Sequence, residues 1–249
     1  MKALFCMRSH LSQRPLGPID LAPRCDHTCS MLLSQRSDGT PTPAYAAHDQ
    51  VYRGLRTRIM HGEIKPGVAL TLRGIGRDFD VSMTPAREAV RRLVAEGALS
   101  MSVSGRVATP ELSNERIEEL AALRALIEVE LASRALPRAH MALIERLQSI
   151  NTVIADAIAE RDAVRYIRTN LEFHRTLYLR AQAPAMLAMA ETVWLQLGPT
   201  MRALYGRLRR TEPPHFHRLM IAALKAGDEP GLRLAVRSDV TQGLKLLAT

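Results

Sequence analysis

The sequence predicts a mainly α protein, an N-terminal winged helix-turn-helix followed by a C-terminal all-α bundle of six helices. Three observations carry this. Residues 113–249 show helical periodicity throughout, interrupted at Pro137, Pro184, Pro213-Pro214 and Gly227-Asp-Glu-Pro230, with no convincing strand. Residues 80–97 form a helix with an apolar back and an arginine-rich front. Residues 99–109 alternate apolar and small polar side chains around Gly105, which is a hairpin pattern. With 249 residues and 47% hydrophobic content, the chain can fill two modest cores.

Residues 1–44 lack sustained periodicity and close on Gly39-Thr-Pro-Thr-Pro43, so a disordered extension is expected, with Met31 as an alternative start of translation. The apolar patch Ala3–Met7 stops at Arg8, too short for a signal peptide. No run of 18 apolar residues exists to span a bilayer. Cys6, Cys25 and Cys29 are confined to this stretch, which is no disulfide framework and suits a reducing cytoplasm. Cys25-Asp-His-Thr-Cys29 has no second ligand cluster at zinc-finger spacing, so a chance grouping is the better reading.

The domain at 45–110 begins with a helix from about Asp49 to His61, with Val51, Leu55, Ile59 and Met60 on one side. Gly62-Glu-Ile-Lys-Pro-Gly67 turns the chain. A short second helix, capped by Thr71, runs through Leu72, Ile75 and Phe79. Gly74 and Gly76 each cost it about 1 kcal/mol relative to Ala, so it must lean on tertiary packing. In the third helix Ser82 or Thr84 can cap, Pro85 sits in the first turn and Gly97 ends it. Ala86, Ala89, Val90, Leu93 and Val94 share its back; Met83, Thr84, Arg87, Glu88 and Arg91 share its front.

Taken alone, that third helix is either a solvated surface helix or one shaped for a DNA major groove. Its neighbours complete a helix-turn-helix with a wing, and Arg106 near the wing tip can reach a phosphate or the minor groove. Lys plus Arg number 34 against 25 Asp plus Glu, a formal charge of +9 that favours a polyanionic partner. Aromatics are only 4%, which argues against a base-stacking platform for single strands.

In the domain at 113–249 the breaks give helices at about 114–136, 138–159, 161–181, 184–208, 213–226 and 228–246. Polar residues sit on their apolar stripes. Arg124 lies among Ile117, Leu120, Ile127 and Leu131; Asn170 and His174 among Ala163, Tyr166, Ile167 and Leu177. His217 heads Met220, Ile221 and Leu224, and Asp239 follows Leu232, Ala235 and Val236. Buried charges are rare unless paired or bound to metal. Imidazole, amide oxygen and carboxylate from three helices suit a divalent ion with open positions. A satisfied polar network, or a salt bridge such as Arg124 with Asp239, explains the same pattern.

The runs Ile59-Met-His-Gly-Glu-Ile-Lys-Pro-Gly67, Val81-Ser-Met-Thr-Pro-Ala-Arg-Glu-Ala-Val-Arg-Arg-Leu93 and Glu96-Gly97 resemble the GntR family of bacterial transcription regulators. The helical half resembles that family's FadR-type C-terminal (FCD) domain, in six helices like its shorter VanR-like branch. The resemblance spans about residues 48–247. It implies a cytoplasmic homodimeric repressor that binds double-stranded DNA and responds to a small organic acid. The family's DNA-contacting arginines match Arg73 and Arg87, and Thr84, Arg91, Gly105 and Arg106 complete the candidate DNA-binding set by their place on the helix front and the wing. Met83 stands where the family usually has an arginine, so the operator can differ from the usual GT…AC inverted repeat.

The family's metal ligands map onto Asn170, His174, His217 and Asp239, the run from His217 to Gly227-Asp228 resembling the family's His-to-Gly-Asp segment. Asn170 replaces the usual Asp and Asp239 the usual His, so a divalent ion (Zn, Ni or Mn) would be held more weakly or with a harder preference. Arg124 matches an arginine that meets an acidic effector; His215 falls on a different face and should be solvated. The competing function class is a metal-dependent enzyme with an accessory basic domain. No His-Glu-x-x-His, Gly-x-Ser-x-Gly or glycine-rich phosphate loop supports it.

Overall fold

Helix α1 (Ala44–Met60) starts earlier than its periodicity suggests and buries Val51, Tyr52, Leu55 and Ile59. The computed structural model describes residues 44–208 and 215–245; the readings made at Met31, Cys25–Cys29 and Pro213-Pro214 lie outside the described residues. After α1 come β1 (Ala69–Leu70), α2 (Leu72–Asp78) and α3 (Met83–Ala95). The Thr71 hydroxyl caps α2 by accepting from the Gly74 amide at 3.0 Å. Ser82 holds the N-cap position of α3 without a side-chain bond. Between the two helices Asp80 takes a left-handed turn at φ 53°. Ala86, Ala89, Val90 and Leu93 of α3 are buried against α1 and α2, so the front of α3 faces outward.

The wing is β2 (Ser100–Met101) and β3 (Val107–Ala108), and β1 joins it to make an antiparallel sheet in the order β1-β3-β2. Ala69 pairs with Ala108 and Leu70 with Val107. The third strand was not expected from the sequence, because two residues show no period.

The C-terminal bundle holds α4 (Asn114–Ala135), α5 (Met141–Ala159), α6 (Ala163–Tyr178), α7 (Pro184–Leu208), α8 (Phe216–Ala226) and α9 (Glu229–Lys245). The Ser113 hydroxyl and Asp162 carboxylate cap α4 and α6, and Gly227 at φ 67° ends α8. Helix α4 packs against α9, α5 against α6 and α8 against α9 around one apolar core.

Helix α7 also carries the winged helix-turn-helix domain formed by α1 to β3 (the reading head). Leu195 enters the α1–α3 core. A Cβ at Gly198 would collide with the Ile59 carbonyl oxygen, so only glycine lets α1 and α7 meet backbone to backbone. Arg202 donates to the Gly62 carbonyl at 3.0 Å, and the Gln196 amide donates to the Glu96 carbonyl at the end of α3, also at 3.0 Å.

Candidate functional site

Two sets of polar residues stand apart. The first is on the surface. Arg73, Thr84, Arg87, Arg91, Gly105 and Arg106 are all exposed, on α2, the front of α3 and the wing. Arg91 is paired with Glu88 at 3.1 Å, while Arg73, Arg87 and Arg106 form no ion pair among the described residues. Arg92, further along α3, is exposed but lies 3.6 Å over the Tyr52 ring, which ties the helix to α1. The α3 front is therefore not packed against its own bundle.

The second set is buried among α4, α6, α7, α8 and α9. His174 and His217 are fully buried and Asp239 is 11% exposed at its side chain. Their donor atoms all lie within 4.8 Å of one another. His174 Nε2 is 3.1 Å from Asp239 Oδ2, His217 Nε2 is 3.7 Å from Oδ1, and the two Nε2 atoms are 3.4 Å apart. Phe173 stacks on the His217 ring at 4.0 Å and fixes its plane.

The outer hydrogen bonds set the tautomers. The Tyr178 hydroxyl donates its one proton to Glu128 Oε2 at 3.0 Å, so its oxygen accepts from His174 Nδ1 at 3.1 Å. His217 Nδ1 lies 3.3 Å from Asn151 Oδ1 and donates there. With the ring proton on Nδ1, each imidazole has its Nε2 lone pair available to a cation beside the Asp239 carboxylate. Three acceptors converging on one point is an arrangement a cation completes. A tetrahedral ion about 2.0–2.1 Å from each donor sets neighbouring donors roughly 3.3 Å apart, close to these spacings.

Burial pushes the His217 pKa down to about 4, which keeps that ring neutral. Burial alone would raise Asp239, but the His217 and His174 rings and the Arg124 guanidinium outweigh it and hold its carboxyl at about 2.

Arg124 is buried, but its partner is not Asp239. The salt bridge offered by the sequence as a bland explanation is corrected to Arg124 with Glu128. Arg124 Nε and Nη2 donate to the two Glu128 oxygens at 2.5 and 3.3 Å. Glu128 stands one turn along the same face of α4, so it closes that edge of the guanidinium locally. Glu128 is fully buried and also accepts from Trp194 Nε1 at 2.9 Å. Burial would raise its carboxyl, but Arg124 first and His174 next overcome that and hold it low.

Asn170 is buried one turn before His174 and lines, with Arg124, Trp194 and Met60, a cavity of about 10 Å³ whose walls do not include His174, His217 or Asp239. His215 is exposed, against Phe216.

Glu128, Tyr178, Trp194 and Asn151 were missed in the sequence. Arg124 and Glu128 look like an ordinary surface pair at i,i+4, yet both fall on the stripe Ile117, Leu120, Leu131 and Ala135. That placement was the available signal.

The description "Bacterial regulatory proteins, gntR family" matches residues 47–107, and the FCD domain matches residues 119–242. The chain belongs to the GntR family. Among its relatives, the HTH-type transcriptional regulator McbR of Escherichia coli (strain K12) is 28% identical over 202 residues, 80% of this chain and 91% of that one. The solved structure of E. coli McbR/YncC has a TM-score of 0.74 at 27% identity, covering 81% of this chain and 97% of that one. The gluconate operon transcriptional repressor of Bacillus subtilis (strain 168) is 29% identical over 184 residues, 70% of this chain and 74% of that one. This member of the GntR family is a DNA-binding transcription regulator and not an enzyme. No helix among its described residues is long and apolar enough to cross a membrane.

Proposed function

We propose that this regulator is a cytoplasmic homodimeric repressor whose operator affinity is set by a small carboxylate bound in the bundle at a divalent ion. The observation that carries the reading is the convergence of His174 Nε2, His217 Nε2 and Asp239, with each outer ring nitrogen already satisfied. His174, His217 and Asp239 would hold the ion, with Asn170 on the same face as a fourth candidate. The ion would supply a positive charge and open positions for a carboxylate. Arg124, held by Glu128, presents its remaining N–H groups to the cavity.

On the DNA side, Arg87 offers a bidentate pair to guanine O6 and N7, with Thr84 beside it. Arg73, Arg91 and Arg106 meet phosphates, which raise affinity and salt dependence. Two copies related by a twofold axis would read half-sites about one helical turn apart. Gel shift on the gene's own upstream region tests this, with zinc and small organic acids added or withheld. Specific binding that an acid weakens only when the ion is present supports it; binding indifferent to both contradicts it.

A second reading rests on the 3.1 Å contact between His174 Nε2 and Asp239. With a proton on Nε2 that contact is a complete hydrogen bond, and the cluster is structural. Metal analysis of protein purified without chelator separates the two.

A further inference from the structure

The cavity lined by Arg124 and Asn170 also takes one wall residue, Met60, from the N-terminal domain. Its volume of about 10 Å³ gives room for roughly one water molecule. Any organic effector is larger, so the lining must give way for one to enter. Ile167, Leu171 and Leu197 are branched and set in the wall; Met60 and Met201 are unbranched thioethers, which reshape most readily. Met201 belongs to the bundle. Met60 is the last residue of α1, and its side chain packs against both the reading-head core and the bundle core. The backbone around it is pinned to α7 by the Gly198–Ile59 approach and the Arg202–Gly62 bond.

We propose that Met60 is a wedge of the DNA-binding domain standing in the effector cavity, and that the effector is an organic monocarboxylate with an apolar body that displaces it. Ligand occupancy and seating of the reading head on α7 then compete for one volume, which couples the two. This rests on the reading of the bundle as an effector domain.

Charge and lining fix the ligand class. Arg124 is the one charged side chain among the lining residues, and with Glu128 holding its Nε and Nη2 edge it has one edge left, which takes a single carboxylate. Beyond Arg124 and Asn170 the lining is apolar, and the Trp194 N–H is already committed to Glu128. A polyhydroxylated acid would bury hydroxyls without partners, each lowering affinity on the order of tenfold.

The test uses the full-length chain loaded with zinc, and hexanoate, benzoate, succinate and gluconate as probes. Calorimetry gives affinity, and anisotropy on the upstream duplex gives operator release at matched occupancy. Hexanoate and benzoate should bind at least tenfold tighter than succinate and gluconate. Met60→Ala should bind hexanoate several-fold tighter than the parent, yet release less operator at equal occupancy. Met201→Ala enlarges the same cavity from the bundle side and should gain affinity with release unchanged. Met60→Leu, which keeps the volume but branches the side chain, should bind hexanoate more weakly than the parent while release per bound ligand stays as in the parent. Met60→Ala matching the parent in both readouts, or a preference for gluconate or succinate, overturns the wedge while leaving the effector domain in place. If none of the four acids binds either protein with zinc present, it is the effector reading that falls.

Discussion

Replacing Glu128 by glutamine should cost more stability than any single surface change in this chain. Glu128 is fully buried and accepts from Arg124 twice, from Tyr178 and from Trp194. An amide removes the negative charge and turns one acceptor into a donor that faces donors. Removing one partner of a buried pair costs about 3–5 kcal/mol, since the other charge is left uncompensated. With a urea m-value near 2 kcal/mol/M, the midpoint should fall by about 2 M. Trp194 is the chain's single tryptophan, so its fluorescence reports the site directly. The double variant Arg124→Met, Glu128→Leu removes both charges and should recover only part of the loss, since the Tyr178 hydroxyl and Trp194 N–H lose their acceptor. A Glu128→Gln midpoint within about 0.5 M of the parent, equivalent to roughly 1 kcal/mol, would refute the buried-pair account.

Other outcomes follow from the same geometry. Arg87→Ala should lower affinity for the native operator by about 1–3 kcal/mol and narrow the gap to a shuffled duplex; Arg73→Ala should weaken both alike and reduce the salt slope by about one, as anisotropy at several salt concentrations would show. Zinc added to chelator-treated protein should raise the melting temperature, and His174→Ala or Asp239→Ala should lose that rise in a thermal-shift assay. The folded pKa of His217 lies at about 4, below its ordinary 6.5, so the unfolded chain binds the proton first. The stabilising contribution is therefore complete above pH 6.5 and is lost as pH falls toward 4, on the order of 3 kcal/mol; His217→Asn should flatten that part of the metal-free melting curve.

Much of this was legible in residue order. The α3 stripe of Ala86, Ala89, Val90 and Leu93 specifies a buried back, and it follows that Arg87 and Arg91 face out. Pro184 and Gly227 mark helix boundaries because one lacks an amide donor and the other takes positive φ. His174, His217 and Asp239 were noticeable because each sits where an apolar residue belongs. What escaped is tertiary. Two-residue β1 has no period to read and exists only because β3 offers it a partner. Glu128 was hidden by its spacing from Arg124, which on an exposed helix means little. The seating of α1 on α7 depends on Gly198, a glycine inside a helix that carries no local instruction until the Ile59 carbonyl is seen against it.

Operator affinity of chelator-treated protein, followed as zinc and then benzoate are titrated in, addresses the whole account at once. The parent chain should prefer its own upstream duplex over a shuffled one, and benzoate should weaken that binding only after zinc and only with His174, His217 and Asp239 intact. Equal affinity for both duplexes, or the same response from Asp239→Ala, would contradict it.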